Sequence, residues 1–192
     1  MPTNIPILLT WLRIILIPLL VALYYVPESW MQPIGRDLIA TVVFVVAAGT
    51  DWLDGYLARR WNETSAFGAF LDPVADKLVV AAALIILVSL DRTDALVAVI
   101  IIGREITISA LREWMAQIGA RKSVAVSMIG KIKTVAQMTA IPLLLYHQPL
   151  MGIDIHTLGT WLIYVAAVLT LWSMGYYMRM ALPHLTEQDH KH

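Results

Sequence analysis

The chain contains no cysteine among its 192 residues, which excludes disulfide bonds, thiolate catalysis and cysteine-based metal sites. It also has no net charge, because 14 lysines and arginines balance 14 aspartates and glutamates. With no basic excess and no long run of like charge, the electrostatic footprint of a nucleic-acid-binding protein is missing. We therefore expect no nucleic-acid partner.

Charged residues of either sign are scarce at 15%, whereas 59% of residues are hydrophobic and the mean hydropathy is +0.71. This composition is typical of integral membrane proteins. The N-terminus lacks a basic segment and a small-residue cleavage site, and Arg13 interrupts the first apolar run, so we expect a retained helix there. The sequence predicts an all-α, polytopic integral membrane protein with about six spans of roughly 20 residues each.

Six apolar runs mark the predicted spans, near residues 7–26, 36–56, 73–90, 95–114, 133–146 and 158–178. Together they form one predicted membrane domain over residues 1–182, followed by a short tail at 183–192. Aromatic residues near the span ends are interpreted as interfacial belts: Tyr24, Tyr25, Trp30, Trp61, Tyr146, Tyr176 and Tyr177. The scattered histidines have no metal-ligand spacing, so we expect no zinc site.

Lysine and arginine are distributed asymmetrically between the two predicted faces of the membrane. One face has only Arg36 and Arg92, whereas the other holds Arg13, Arg59, Arg60, Lys77, Arg112, Arg121, Lys122, Lys131, Lys133, Arg179 and Lys191. The positive-inside rule then predicts that this second face, with both termini, is cytoplasmic. Charged residues also fall in the cytoplasmic halves of five spans, and such residues normally face a partner or a wet cavity. We therefore expect a polar chamber that opens to the cytoplasm.

The chemistry-bearing residues are concentrated between residues 51 and 76, in the pattern Asp51-x2-Asp54-Gly55-x2-Ala58-Arg59-x8-Gly68-x3-Asp72-x3-Asp76. If span two continues as a helix to about residue 60, Asp51, Asp54, Ala58 and Arg59 share one face. Asp72 before Pro73 suits a helix N-cap followed by proline at the first helical position. Asp76 then lies one turn further along the same face.

Four carboxylates converging from two helices repel one another unless cations neutralise them. All-oxygen ligands favour hard divalent ions, Mg²⁺ or Mn²⁺, and two such ions suit the binding of phosphoryl groups. The small residues Gly55, Ala58 and Gly68 allow a ligand to approach the backbone closely. Arg59 offers a positive charge to a phosphate oxygen.

This pattern resembles the signature of the CDP-alcohol phosphotransferase family at every fixed position. The resemblance implies that Asp51, Asp54 and Asp72 hold two divalent cations and the CDP diphosphate, and that Asp76 is the general base with a share in the metals. It also implies that Gly55, Ala58, Arg59 and Gly68 line the nucleotide. The reaction expected is in-line attack of an alcohol on the phosphorus that bears the lipid, with CMP leaving.

The resemblance extends over nearly the whole chain to family members that transfer a phosphatidyl group from CDP-diacylglycerol to sn-glycerol 3-phosphate. Three stretches support it, at residues 4–13, 103–116 and 123–137. Because this acceptor is a dianion, its site needs cations. The candidates are Arg13, Arg104, Arg112 and, in preference to Lys131, Lys133. The resemblance further implies a homodimer in the bacterial cytoplasmic membrane.

Two alternatives stay open at this point. The same chemistry could serve another acceptor, such as inositol phosphate, serine or a second lipid. The intramembrane charges could also belong to a transporter, but they crowd into one half of the membrane, whereas a conduction path needs polar residues in both halves.

Overall fold

The computed structural model describes residues 5–61, 66–118, 128–150 and 152–189, and within these ranges it contains six α-helices and no β-strand. The helices are α1 (Ile5–Ala22), α2 (Pro33–Trp61), α3 (Ala66–Ser89), α4 (Ala95–Gln117), α5 (Met128–Tyr146) and α6 (Ile155–Asp189), with a short 3₁₀ turn at Leu23–Tyr25 after α1. The all-α prediction is confirmed. The side chains of several helical residues, including Asp51 and residues 54–61, lie outside the described part.

Within the described ranges, three helical segments are long and apolar enough to cross a membrane, over Leu8–Tyr25, Pro33–Thr50 and Ile155–Met180. Large apolar side chains on the outside of the bundle are exposed, such as Val99, Trp161 and Val168 at 66%, 67% and 65%. A surface with this much exposed apolar area is typical of lipid contact. The protein is therefore a membrane protein. That α3, α4 and α5 also span the bilayer stays a prediction, and their 24, 23 and 19 residues suit it.

The helices alternate in direction, and α1 packs against α2 and α3, α4 against α3 and α6, and α5 against α2 and α6. Their apolar faces meet in one main core that includes Leu20, Phe44, Leu84, Leu87, Ile101, Ile141 and Leu144. Gly159 allows a close approach of α6 to α5, because a Cβ atom built there would lie 3.0 Å from Leu144 Cγ. Side chains of α1, α3, α4, α5 and α6 meet at one end of the bundle, which carries the described part of the predicted site.

The start of α3 differs from the prediction that Asp72 caps a helix beginning at Pro73. The helix begins at Ala66, so Asp72 and Pro73 lie inside it. Proline removes one backbone hydrogen bond from a helix, but proline is common in membrane helices, where this loss is tolerated. The N-cap interpretation was therefore wrong, yet Asp72 and Asp76 still lie one turn apart on one helix.

Two helices continue past their apolar runs: α2 ends at Trp61, close to the predicted end near residue 60, whereas α6 extends well beyond the predicted end at 178. At 29 residues, α2 is about 44 Å long, which exceeds the roughly 30 Å hydrocarbon thickness, so its C-terminal turns with the aspartate motif reach past the apolar window that ends at Thr50. The helix α6 has 35 residues and continues through Pro183 to Asp189. Most of the segment predicted as a short tail is therefore helical.

At the opposite end of the bundle, a buried ion pair joins three parts of the chain. Asp37 near the start of α2 accepts a hydrogen bond from Arg92 Nη2 at 2.5 Å, and Tyr24 Oη donates to the same carboxylate at 3.4 Å. Arg92 Nη1 also donates to the carbonyls of Leu144 and Leu145, at 3.3 and 2.7 Å, near the C-terminus of α5. The Arg92 side chain is mostly buried, at 11% exposure.

Candidate active site

The two aspartates of α3 are both held by side chains from α1. Thr10 Oγ1 donates a hydrogen bond to Asp72 Oδ1 at 2.5 Å, and Arg13 Nη1 donates to Asp76 Oδ1 at 2.7 Å. Thr10 and Arg13 are each only 1% exposed. The spacings match, because residues three apart on α1 meet residues four apart on α3, and both pairs follow one helical turn.

Beside Asp76 lies a polar cavity of about 240 Å³, enclosed by α3, α4 and α5. Its polar lining includes Asp76, Lys77, Arg104, Glu105, Arg112 and Gln137. This volume is below the roughly 300–1,000 Å³ of pockets for drug-sized ligands. The cavity therefore suits a small polar molecule that carries negative charge.

Glu105, which lines this cavity, pairs with two cations. Its Oε1 accepts a hydrogen bond from Lys133 Nζ of α5 and another from Arg104 Nη1 at 3.4 Å. Arg104 Nη2 donates to Ser173 Oγ of α6 at 3.3 Å. Glu105 therefore has partners on two helices, Lys133 of α5 and Arg104 of α4. Both cations are buried, so Glu105 offsets part of their desolvation cost.

Two residues of α6 support the cavity and were missed at the sequence level. Arg112 Nη2 donates to Tyr177 Oη at 3.4 Å, and the guanidinium carbons of Arg112 and Arg104 lie 5.4 and 5.9 Å from the centre of the Tyr177 ring. Tyr177 is fully buried, so its interpretation as an interfacial residue was wrong. The spacing of Ser173 and Tyr177, four residues apart on one helix face, is the signal that could have identified them.

The two lysines at the start of α5 differ in burial, because Lys131 is exposed whereas Lys133 is 1% exposed and bonded to Glu105. Arg104 and Arg112 line the cavity. That these residues bind the acceptor stays a prediction. Arg13 differs from them in position, since it lies on α1 and donates to Asp76, and it is not itself among the residues that line the cavity.

The cavity residues keep unused hydrogen-bonding capacity. The Nε atoms of Arg104 and Arg112 and the Oε1 atom of Gln137 are buried and have no partner among the described residues. Unsatisfied buried polar atoms are rare in folded proteins and call for an explanation such as an absent ligand. With two guanidinium groups and Lys77 in its lining, the cavity is suited to a phosphate group.

The predicted metal centre is only partly within the described residues. Five residues of the motif belong to α2, but the surroundings of their side chains lie outside the described part: Asp51, Asp54, Gly55, Ala58 and Arg59. Gly68 is described and is buried on α3. Among the side chains that are described, no group of three or more histidines, aspartates and glutamates could hold a metal ion.

The part that is described fits a hard divalent cation. Asp72 and Asp76 present carboxylate oxygens one turn apart on α3, and Thr10 and Arg13 fix one oxygen of each. The helix that carries Asp51 and Asp54 packs against both α1 and α3. Carboxylate oxygens are the ligands that Mg²⁺ and Mn²⁺ prefer, so Asp51 and Asp54 would have to complete the site.

Comparison with known proteins agrees with this geometry. The family model described as CDP-alcohol phosphatidyltransferase matches residues 3–172. Proteins named CDP-diacylglycerol–glycerol-3-phosphate 3-phosphatidyltransferase are similar over almost the whole chain. Those from Salmonella choleraesuis (strain SC-B67), Shigella flexneri serotype 5b (strain 8401) and Escherichia coli (strain K12) are each 50% identical over 190 residues, which is 98% of this chain and 100% of each relative.

The family inferred from the aspartate motif is thereby confirmed, and the reaction predicted from the sequence is the one for which these relatives are named. The family uses divalent metal ions, in agreement with the carboxylate donors on α3. Because the family model spans most of the chain and the relatives match it from end to end, the chain belongs to the CDP-alcohol phosphatidyltransferase family.

Proposed function

We propose that this protein transfers the phosphatidyl group from CDP-diacylglycerol to sn-glycerol 3-phosphate, giving phosphatidylglycerol phosphate and CMP. One observation carries the proposal: Asp76 belongs both to the carboxylate pair on α3 and to the wall of the cationic cavity. The nucleotide diphosphate and a negatively charged acceptor can therefore meet at a single carboxylate. The names of the 50% identical relatives support the same reaction.

Within this reaction, we assign Asp76 as the general base. The acceptor hydroxyl loses its proton to the Asp76 carboxylate while its oxygen forms a bond to the phosphorus that carries the lipid. The bond between that phosphorus and the bridging oxygen of the diphosphate breaks, and CMP leaves with the bond electrons. Attack in line with the leaving group needs no covalent enzyme intermediate.

The cations around the cavity would bind the acceptor through its phosphate. Arg104 and Arg112 offer guanidinium groups suited to bidentate contact with phosphate oxygens, and Lys133 adds a third positive charge beside Glu105. Binding of the acceptor through its phosphate would leave its hydroxyl end free to reach Asp76, which lines the same cavity. Glu105 offsets only one of the three positive charges of Arg104, Arg112 and Lys133, so the cavity favours an acceptor that carries a negatively charged phosphate over a neutral alcohol.

The metal ions would be held by Asp51, Asp54 and Asp72, with a share for Asp76, and the nucleotide would be lined by Gly55, Ala58, Arg59 and Gly68. When bound, two ions of Mg²⁺ or Mn²⁺ supply positive charge to the diphosphate and to the departing CMP.

We propose further that the active site and both termini face the cytoplasm, in a bacterial cytoplasmic membrane. The sequence assigns eleven lysines and arginines to the predicted face of the site and two to the other face, and this asymmetry supports the orientation. A homodimer is proposed from the family resemblance alone. Cross-linking in native membranes tests the dimer, and cysteine labelling of a variant such as Lys131→Cys tests the orientation, since wild-type protein has no cysteine.

The acceptor assignment is tested by offering purified protein CDP-diacylglycerol and Mg²⁺ together with one acceptor at a time and identifying the lipid product by mass. We expect phosphatidylglycerol phosphate with sn-glycerol 3-phosphate and no product with serine or with uncharged glycerol. Product with inositol phosphate or serine and none with sn-glycerol 3-phosphate would refute the acceptor assignment and leave the family intact.

A further inference from the structure

Helix α1 has almost no polar side chains, yet the ones it has are used at the site. Apart from the indole of Trp11, Thr10 and Arg13 are the only polar side chains between Ile5 and Ala22. An arginine in a membrane-spanning segment costs a few kcal/mol on insertion scales unless it finds a partner. Both residues are 1% exposed, so their placement requires partners within the protein.

The partners are the two aspartates of α3. Thr10 donates to Asp72 Oδ1 at 2.5 Å and Arg13 donates to Asp76 Oδ1 at 2.7 Å. Each carboxylate rotates about a terminal bond with broad freedom, and a hydrogen bond to one oxygen fixes the direction of the other. The Asp76 side chain is still 38% exposed, so burial alone does not hold it in place.

We propose that Thr10 and Arg13 are positioning residues that orient Asp72 and Asp76 for the reaction, and that Arg13 does not bind the acceptor. This inference rests on the proposed function for its assay, and it changes the sequence-based expectation that Arg13 belongs to the acceptor site. The two roles lie on different helices. Side chains of α1 hold the aspartates, whereas Arg104 and Arg112 of α4 line the cavity and Lys133 of α5 supports it.

The alternative role for Arg13 predicts a different kinetic result. A residue that binds the acceptor equally well before and during reaction changes KM and leaves kcat unchanged, whereas one that acts only through the base lowers kcat. Because Arg13 is buried against Asp76, we expect Arg13→Met to lower kcat about a hundredfold while KM for sn-glycerol 3-phosphate stays within about threefold. Arg13→Lys keeps the charge and should recover part of kcat.

Thr10 allows a nearly isosteric comparison. Thr10→Val removes the hydroxyl at similar volume, and Thr10→Ser restores it. We expect Thr10→Val to lower kcat about tenfold, which corresponds to the loss of one charge-assisted hydrogen bond, and Thr10→Ser to return it close to wild type. Since these changes are small, they keep the proposal falsifiable if Arg13→Met does not fold. Leu12→Met, on the 41% exposed side of α1, is the matched control.

A second readout is independent of turnover. Mn²⁺ binding to each purified variant, followed by electron paramagnetic resonance of the free ion, should weaken about tenfold in Thr10→Val and recover in Thr10→Ser. Arg13→Met should retain Mn²⁺ binding, because it removes a positive charge from the neighbourhood of the carboxylates. If Arg13→Met loses activity but still binds Mn²⁺, the metal site is intact, and the loss of activity is due to the missing Arg13 side chain.

Three results would decide between these roles. A raised KM for sn-glycerol 3-phosphate with unchanged kcat in Arg13→Met would place Arg13 in the acceptor site and overturn the proposal. Equal kcat and equal Mn²⁺ binding in Thr10→Val and Thr10→Ser would overturn the role of Thr10. If wild-type protein itself forms no product with sn-glycerol 3-phosphate, the proposed function fails, and the Mn²⁺ titrations of the Thr10 pair still decide whether α1 orients the aspartates.

Discussion

Replacement of Lys133 by methionine should selectively weaken binding of the acceptor. Lys133 is 1% exposed and donates to Glu105, whose carboxylate also accepts from Arg104 at 3.4 Å. In Lys133→Met the side-chain length is preserved, but the cavity loses one positive charge and Glu105 becomes a competitor for Arg104. The acceptor phosphate therefore loses the charge of Lys133 and part of its interaction with Arg104.

The magnitude follows from the strength of a hydrogen bond to a charged group. Such a bond contributes about 1.5–3 kcal/mol, and each 1.4 kcal/mol corresponds to a factor of about ten in affinity. We therefore expect the KM for sn-glycerol 3-phosphate to rise about 10- to 100-fold, with the KM for CDP-diacylglycerol nearly unchanged. The assay is CMP release at varied acceptor and fixed lipid nucleotide, and then the reverse.

The matched control is Lys131→Met, because Lys131 lies two residues away on the same helix and is exposed. Breaking a buried ion pair can cost about 3–5 kcal/mol of stability, but the Glu105 side chain keeps 26% exposure, so we expect a smaller loss here. Adding Glu105→Gln to Lys133→Met removes the unpaired carboxylate and controls for stability. Equal KM values in Lys131→Met and Lys133→Met would refute the assignment of Lys133.

Other groups of the site and of the opposite end of the bundle give four further predictions. Asp76→Asn should abolish CMP release while CDP-diacylglycerol still binds, and normal turnover would remove Asp76 from the role of base. EDTA should stop turnover, and either Mg²⁺ or Mn²⁺ should restore it, as measured by CMP release before and after dialysis. Asp37→Asn should lower the melting temperature in detergent markedly with kinetics unchanged, because it leaves the mostly buried Arg92 without its counter-charge at the end of the bundle away from the site. Hydrogen bonds from the Thr157 side chain and then its backbone N–H lower the pKa of Asp154, so its contribution to stability is present at neutral pH and is lost as the pH falls through that lowered pKa; an Asp154→Ala variant should show a flatter acid limb in thermal melts.

The helices could be predicted from the sequence, because an apolar run of membrane length can cross a bilayer only as a helix or as part of a closed β-barrel. The boundaries were less readable where polar residues continue a helix beyond the apolar run. Asp72 and Pro73 look like a helix start, yet the helix begins at Ala66. Sequence rules for soluble helices favour the later start, but helix packing can hold an earlier one.

The carboxylates of the site could be predicted because their spacing is specific, whereas their partners could not. That Thr10 and Arg13 of α1 meet Asp72 and Asp76 of α3 depends on which helices pack together, and a single sequence does not contain that information. The same limit applies to Tyr177, which looks like a span-end aromatic in sequence. Only the packing of α6 against α4 shows that it lies beneath Arg104 and Arg112.

CMP release by the purified protein in detergent tests the central claim most directly. Protein with CDP-diacylglycerol and Mg²⁺ is assayed with and without sn-glycerol 3-phosphate, and each arm is repeated with EDTA. We predict CMP release only when the acceptor and the metal are both present. Equal CMP release with and without the acceptor would indicate hydrolysis of CDP-diacylglycerol in place of transfer. No CMP release in any arm would contradict the assignment of this chain as a phosphatidyl-transferring enzyme.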